Sequence, residues 1–467
     1  MREIITGKKD ILGLLARNRR QYSIYKQSLY TLRRETKDGA LLCNTLTGEM
    51  VLLSQEEREA FDRLPGRLVS ALGELIDHRF AVPQDCDEGR TAEQLQALLQ
   101  KRCEAKRIIT HYNILPTTYC NARCFYCYEC DIPHVHMSEE TADALVEFIA
   151  AHHGDAPVKL SWFGGEPLLG KQRIDRICRR LDRMDIGYVS DMISNGYLFD
   201  ADLVCQAQEV WKLKRVQITL DGTREIYNRI KAYVSPGEDP YLRVLRNIGL
   251  LTGAGIHVDI RLNMDSHNAE DLDRLIDELT ERFEKRERLF IYVRQLDEGE
   301  GFDPIRHSPE ELERLKHQLI ELQEKLESKG WRQHKDADFP CLRINSCMAD
   351  DPQSVQCTPD GLFSKCEDRI YEHMVGTVET GITDREQVKW WQQRVSYPGC
   401  AECPLYPSCI RLLKNCPVKK GKCTAYDLEH RIAYYLDLML EKYEAWKRGE
   451  CHDGESGLPD EGSRQDC

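Results

Sequence analysis

"YNILPTTYCNARCFYCYEC" (residues 112–130) joins two textures without a break. Its first seven residues are mostly apolar and have the length of a buried strand. The remainder sets Cys120, Cys124, Cys127 and Cys130 among tyrosines and a phenylalanine, with the spacing C-x3-C-x2-C-x2-C. A strand that runs straight into a loop dense with thiols places reactive groups where parallel α/β folds keep their chemistry. What decides the fold is how far the strand pattern continues.

It continues to about residue 330. After YNILPTT come VKLSWFG (158–164), YVSDMIS (188–194), RVQITLD (215–221), HVDIRLN (257–263) and LFIYVRQ (289–295). Helical patterns separate them, among them SEETADALVEFIAAHH, KQRIDRICRRLDRM and NAEDLDRLIDELTERF, and SPEELERLKHQLIELQEKLESKG closes the series. Strand-length apolar runs alternating with segments of period 3.6 predict βαβ units around a parallel sheet. The expectation over residues 106–330 is an α/β fold, a partial (β/α)6 TIM-like barrel with its chemistry at the carboxyl ends of the strands.

The flanks differ from this middle. Residues 1–98 read as a small α+β element, with strand-like LYTLRRE and ALLCNTL, turn signals at Lys37-Asp38-Gly39 and Thr47-Gly48, and a helix capped by Ser54. GRLVSALGELIDHRF reads as a second helix, and the charged stretch from Asp85 to Arg107 as a linker containing a helix. Residues 331–448 hold nine cysteines between 341 and 423, and residues 449–467 are polar and Gly-rich, expected as a disordered tail.

Charge and composition narrow the function. The net charge of −13 argues against a nucleic-acid binder held by phosphate contacts. The first 35 residues run the other way, nine Lys and Arg against three acids, among them Arg17, Arg19, Arg20, Arg33 and Arg34, and could steer an acidic peptide. MREIITGKKDILGLLARNRR lacks the apolar run of a secretory signal, and no run of eighteen apolar residues predicts a membrane span. The expected home is the cytoplasm, where thiols stay reduced, so twenty cysteines point to metal ligation rather than disulfides.

From the residues alone two readings of the cysteine loop stay open. Four thiolates would close a structural zinc tetrahedron. Three thiolates on three irons would leave the fourth iron of a cluster open to a small molecule. Here the sequence resembles the radical S-adenosylmethionine (SAM) enzymes, whose C-x3-C-x2-C signature follows the first barrel strand with an aromatic before the third cysteine, Tyr126 in this chain. The resemblance implies a [4Fe-4S] cluster on Cys120, Cys124 and Cys127, with SAM bound at the open iron and cleaved reductively to a 5′-deoxyadenosyl radical. Cys130 has no place in that pattern and is read as a spare thiol.

Four further matches follow, one per strand end. WFGGEP (162–167) resembles the family's GGEP motif, which implies close backbone approach at Gly164 and Gly165 and an ammonium partner in Glu166. ISNG (193–196) resembles the ribose-binding strand end, with Ser194 and Asn195 as hydroxyl partners. ITLDG (218–222) is similar to the fourth-strand motif, with Thr219 in place of serine and Asp221 set to orient ribose or substrate. IRLN (260–263) puts Arg261 where a guanidinium meets the methionine carboxylate, with Asn263 nearby. Singly, Asn195, Asp221 and Asn263 read equally well as strand-end caps; their order carries the resemblance.

The C-terminal cysteines resemble the SPASM extension of peptide-modifying radical SAM enzymes: Cys341 and Cys347, then C-x13-G-x4-C ending in Cys366, then Cys400-x2-Cys403-x5-Cys409, Cys416 and Cys423. The resemblance implies two auxiliary [4Fe-4S] clusters, one on Cys341, Cys347, Cys366 and Cys416, the other on Cys400, Cys403, Cys409 and Cys423. The x6 spacing before Cys416 departs from the family's x3, leaving an open iron or Cys357 as the alternative there, and zinc ribbons are the competing reading of the C-x2-C pair. Glu367, directly after Cys366, stands where some relatives keep a proton-accepting acid. The other cysteines (43, 86, 103, 178, 205, 451 and 467) read mostly as small buried hydrophobes.

Residues 25–98, and KDGALLCNTLTGEMVLLSQEE above all, resemble the winged-helix-like front of SPASM maturases, which implies strand-addition capture of a precursor-peptide leader. A purely structural cap is the competing reading. Together these resemblances imply an oxidoreductase that holds three [4Fe-4S] clusters, takes electrons from a flavodoxin or ferredoxin, and installs a cysteine thioether in a ribosomally made peptide. The rival activities are formylglycine formation on a sulfatase and other crosslinking or epimerising chemistry.

Overall fold

A computed structural model describes residues 2–5, 11, 24–67, 69–296, 308–331, 339–345, 347–409, 411–413, 423 and 425–449. Cys416, the basic Arg17, Arg19 and Arg20, and residues 450–467 of the expected tail lie outside the described residues. The chain divides into two compact units, each assembled from separate stretches. One comprises residues 1–105, 336–351 and 393–467, the other residues 106–335 and 352–392.

In the first unit, β1 (Arg2–Ile5), β3 (Thr31–Thr36), β4 (Gly39–Asn44) and β5 (Glu49–Leu52) form an antiparallel sheet in the order β1-β5-β4-β3, while β2 (Tyr25–Gln27) pairs with β6 (Ala81–Pro83). Helix α1 (Gln55–Asp62) begins at a reciprocal capping box between Ser54 and Glu57, which satisfies two of its orphan amides. The stretch read as a second helix is shorter than expected. Gly66 exchanges two backbone hydrogen bonds with Tyr25 (2.8 and 2.9 Å), which removes its start from any helix and leaves α2 as Gly73–Asp77.

The stretch read as a linker contains the helix expected there, and that helix is packed into a core. It is α3 (Glu88–Lys106), whose Ala92, Leu95 and Leu99 are buried with Tyr30, Leu46, Leu342 and Tyr406. The C-terminal helix Ala425–Lys447 closes the same unit, packing Met439 and Tyr443 onto Leu32, Leu41 and Cys43.

The second unit carries the expected barrel. Six strands, β7 (His111–Thr117), β8 (Val158–Gly164), β9 (Tyr188–Ser194), β10 (Leu213–Leu220), β11 (His257–Met264) and β12 (Leu289–Gln295), pair in parallel and in sequence order. Between them run α4 (Glu139–His152), α5 (Lys171–Arg183), α6 (Ala201–Glu209), α7 (Arg224–Lys231), α8 (Pro240–Gly253) and α9 (Ala269–Arg282), followed by α10 (Pro309–Ser328). Ser138, Asp200, Asp239 and Ser308 accept from first-turn amides and fix where four of these helices start. Every residue of β7 is buried, as befits a parallel strand covered on both faces.

Four short strands of the C-terminal region extend this sheet: β13 (Ser354–Cys357), β14 (Leu362–Ser364), β15 (Gly376–Thr377) and β16 (Gly381–Ile382), followed by α11 (Arg385–Trp391). β13 lies parallel to β7, with Cys357 opposite Ile114. Register then aligns the ends of the barrel strands: Thr117 faces Gly164, Ser194 faces Ile218, and Leu220 faces Leu262. The residues that follow these strands therefore emerge together. Among the described residues no helix is long and apolar enough to cross a membrane.

Candidate active site at the strand ends

The cysteine loop leaves β7 and returns to it before α4. Thr118 donates from its amide to Val135 O (3.0 Å) and from its hydroxyl to Pro133 O (2.7 Å), and the Met137 amide donates to Pro116 O (3.0 Å). These bonds pin both ends of the loop. Cys120, Cys124 and Cys127 are partly buried and Cys130 is exposed, and every described cysteine is a free thiol. Successive turns set the loop's spacing, with Cys127 N–H on Cys124 O (3.2 Å) and Cys130 N–H on Cys127 O (3.3 Å). Burial pushes the Cys120 thiol up to about 12 and the Cys127 thiol up to about 11, so a metal bound here displaces protons.

Among the described residues no three His, Cys, Asp or Glu side chains are grouped to hold a single metal ion. Three soft thiols on one pinned loop are the donor type that iron–sulfur clusters take.

The glycines of WFGGEP serve this loop. At Gly164, with φ +106°, a Cβ would lie 2.3 Å from Thr117 O, and at Gly165 one would lie 2.4 Å from Tyr119 O. The close backbone approach expected at these glycines is an approach of β8 to the root of the cysteine loop. Glu166 completes it, donating its amide to Tyr119 O (2.8 Å). Its side chain is 0 % exposed and accepts from the Ser194 hydroxyl (2.9 and 3.1 Å), the Asn195 amide (2.8 Å) and the Leu168 amide (3.1 Å). Burial raises this carboxyl to about 7, against the pull of those hydrogen bonds. Glu166 and Ser194 thus brace β8 and β9 against each other. Asn195 reaches the other way, donating from its side chain to Asn121 Oδ1 inside the cysteine loop (2.7 Å).

A second network crosses the barrel mouth. The Tyr126 hydroxyl donates to the Asp221 carboxylate (2.9 Å), which also accepts from Asn263 Nδ2 (2.9 Å), and Asn263 Oδ1 accepts from Arg261 Nε (2.8 Å). Thr219 lies opposite Arg261 in register, and both are half-buried. Two members were missed in the sequence. Lys231 Nζ sits 3.0 Å from Asp221 Oδ2 and 3.0 Å from the Tyr126 hydroxyl, and Asn121 meets Asn195. Lys231 ends α7, a two-turn helix whose Ile226, Tyr227 and Ile230 had the spacing to reveal it. Burial disfavours its ammonium, but Asp221 and the Tyr126 and Cys124 side chains outweigh that and hold its pKa above the usual lysine range.

The barrel unit also contains Cys357, fully buried at the end of β13, and Cys366, buried just after β14, with Glu367 half-buried beside it. Ile370, four residues on, packs with Leu115 and Phe163 and against Ile132 and Ile193. Glu129 of the cysteine loop is 7 % exposed with a buried Oε2 that has no partner, and burial pushes its carboxyl up to about 8.

In the other unit, burial raises the Cys423 thiol, and neighbouring Cys409, Cys403 and Cys400 raise it further. Turns join Cys400 O to Cys403 N–H (3.0 Å) and Tyr406 O to Cys409 N–H (3.3 Å). These four cysteines are therefore near neighbours. Cys347 donates its amide to Asp350 Oδ1 (3.1 Å), and Cys341 is partly buried.

Comparison with known proteins bears on the barrel. Residues 114–279 match the model of the radical SAM superfamily. A probable GTP 3′,8-cyclase of Archaeoglobus fulgidus is 33 % identical over 120 residues, 25 % of this chain and 38 % of the relative, so the match spans well under half of that protein. Among solved structures, native anSMEcpe with bound AdoMet is 15 % identical with a TM-score of 0.53, over 71 % of this chain and 99 % of that one. The same protein with bound AdoMet and the Cp18Cys peptide gives 16 % identity and a TM-score of 0.53 over the same shares. The strand order, the thiol loop and the glycine-built β8 end agree with that match, and residues 114–279 form a radical SAM domain.

Proposed function

We propose that the chain is a radical SAM peptide maturase with three [4Fe-4S] clusters, which abstracts hydrogen from a ribosomally made precursor and closes a cysteine thioether. One observation carries the reading beyond the barrel. The hairpin β13–β14, with Cys357 and Cys366, is built onto β7, the strand that delivers the cysteine loop, and Ile370 beyond it covers the strand ends. Two further thiols, Cys357 and Cys366, carried by elements joined to the first barrel strand support an auxiliary cluster that exchanges electrons with a substrate held at the barrel mouth. The solved anSMEcpe structure with both AdoMet and a peptide has this barrel fold, which supports a peptide partner.

Cys120, Cys124 and Cys127 would hold the first cluster, which when bound supplies the electron that splits AdoMet to a 5′-deoxyadenosyl radical. Arg261 would orient the methionine carboxylate with Asn263 nearby, Ser194 and Asn195 would meet the ribose hydroxyls beside Thr219, and Asp221 would orient the ribose or the substrate. Glu166 fixes two of those groups in place. Auxiliary clusters would sit on Cys400, Cys403, Cys409 and Cys423, and on Cys341, Cys347 and Cys366 with Cys416 or Cys357. Glu367 would take the substrate proton. Residues 1–98 would recognise the leader, residues 106–330 catalyse, and residues 331–448 carry the auxiliary clusters, with a flavodoxin or ferredoxin as reductant. Formylglycine formation on a sulfatase is the rival, sharing barrel and clusters.

Anaerobically reconstituted protein is expected to hold about twelve irons per chain and to release 5′-deoxyadenosine with reductant and AdoMet, a release that Cys124→Ala abolishes. Small peptides encoded beside this gene, co-expressed with the enzyme, are expected to lose two hydrogens and leave one cysteine blocked to alkylation. A cysteine converted to an aldehyde instead would establish the rival chemistry.

A further inference from the structure

Lys231 is the most costly side chain at the barrel mouth that no motif accounts for. It is 4 % exposed, and an ammonium buried to that degree gives up most of its hydration even when paired. An apolar residue of similar volume would fill the space at less cost. The backbone on its carboxyl side is also strained. Ala232 lies in the left-handed region (φ 42°, ψ 57°), which disfavours a residue with a Cβ. Strain and a buried charge at consecutive positions, in one network with the thiol loop, call for a role.

The contacts indicate which. The Lys231 carbonyl accepts from the Arg123 amide (2.8 Å), and the Val234 amide donates to Asn121 O (2.8 Å). The left-handed turn between them aligns residues 231–234 as a two-bond splint along residues 121–123, the span leading into Cys124. From the same residue the side chain turns inward, 3.0 Å from the hydroxyl of Tyr126, which stands between Cys124 and Cys127, and 3.0 Å from Asp221. Its ammonium also lies 5.6 Å from the Tyr126 ring centroid and 5.9 Å from that of Tyr227, both within cation–π range. One residue thus grips the cysteine loop on both sides of Cys124, by its main chain before it and by its side chain after it, and brings a full positive charge to the loop.

We propose that Lys231 is a positioning residue for the cysteine loop whose fixed charge raises the reduction potential of the cluster bound there. Reduction adds one negative charge to the cluster, and a buried ammonium beside its ligand loop stabilises that form, since cluster potentials follow local charge and solvent exposure. Asp221, 3.0 Å from the ammonium, tempers the effect. Without Lys231, Asp221 faces the loop alone and Tyr126 loses its anchor. The proposal rests on the radical SAM domain and not on the identity of the substrate.

The test uses full-length protein, anaerobically reconstituted, in a redox titration followed by electron paramagnetic resonance. The spectral component that changes on adding AdoMet reports this cluster and separates it from any other. Lys231→Met and Lys231→Gln, the second keeping a donor toward Asp221 should the first fail to fold, are expected to give a more negative midpoint for that component. Both should show a smaller fraction reduced by dithionite. Lys231→Arg is expected to return the midpoint toward the wild-type value. A wild-type midpoint in the glutamine variant, or an arginine variant displaced as far as the glutamine one, overturns the proposal. Peptide modification plays no part in the readout, so failure here is distinct from failure of the maturase reading.

Discussion

Glu166 shows what a single side chain at this site contributes. Sequence places it as a partner for an ammonium; the structure adds that it binds two strand ends while wholly out of water. Its carboxyl lies at about 7 in the folded protein against an ordinary 4.5, so the fold retains a proton that the unfolded chain releases. The stabilisation is complete below about pH 4.5 and is lost as pH rises through 7, at no more than about 1.4 kcal/mol per pH unit. Urea midpoints of AdoMet-free protein at pH 5.5 and 7.5 are expected to fall for the wild type and to fall less for Glu166→Gln; equal slopes would contradict it. Residues of this kind were legible because each closes a short motif at a strand end. Lys231 and Asn121 were not, since a buried lysine reads as surface and an asparagine between cysteines reads as spacer.

At the scale of elements, the barrel was legible throughout, because each of its six strands runs seven or eight residues and each has a flanking helix to set the period. The extension β13–β16 was not, since strands of two to four residues are too short to show alternation. Their place is set by tertiary packing. Phe363 of β14 is fully buried with its ring 4.7 Å from that of Phe148 on α4, so the hairpin is anchored on a barrel helix. Phe363→Ala is expected to cost about 3–5 kcal/mol, read as a lower denaturation midpoint, and to lower iron content by loosening Cys366. A stability within about 0.5 kcal/mol of wild type, the usual range of a surface substitution, would show the anchor to be incidental.

At the scale of the molecule, sequence texture divides the chain into consecutive segments, whereas the compact units interleave them. Composition changes along a chain report local polarity, not which distant stretch completes a core. The unit that begins at residue 1 also holds Cys341, Cys347, Cys400, Cys403, Cys409 and Cys423, and its core joins Leu95 and Leu99 to Leu342 and Tyr406. Cutting away residues 1–98 is therefore expected to reduce iron from about twelve to about four per chain while the barrel still releases 5′-deoxyadenosine. Full iron retention in the truncated protein would refute this.

The same interleaving has a consequence during synthesis. Leu32 and Leu41 leave the ribosome roughly 400 residues before their cover, Met439 and Tyr443, at the elongation rates of ordinary synthesis. At roughly 5–20 residues per second, that surface stays bare for tens of seconds while the intervening barrel can already close. Until that cover arrives the sheet presents uncovered apolar surface, so products stalled before the C-terminal helix expose an adhesive face.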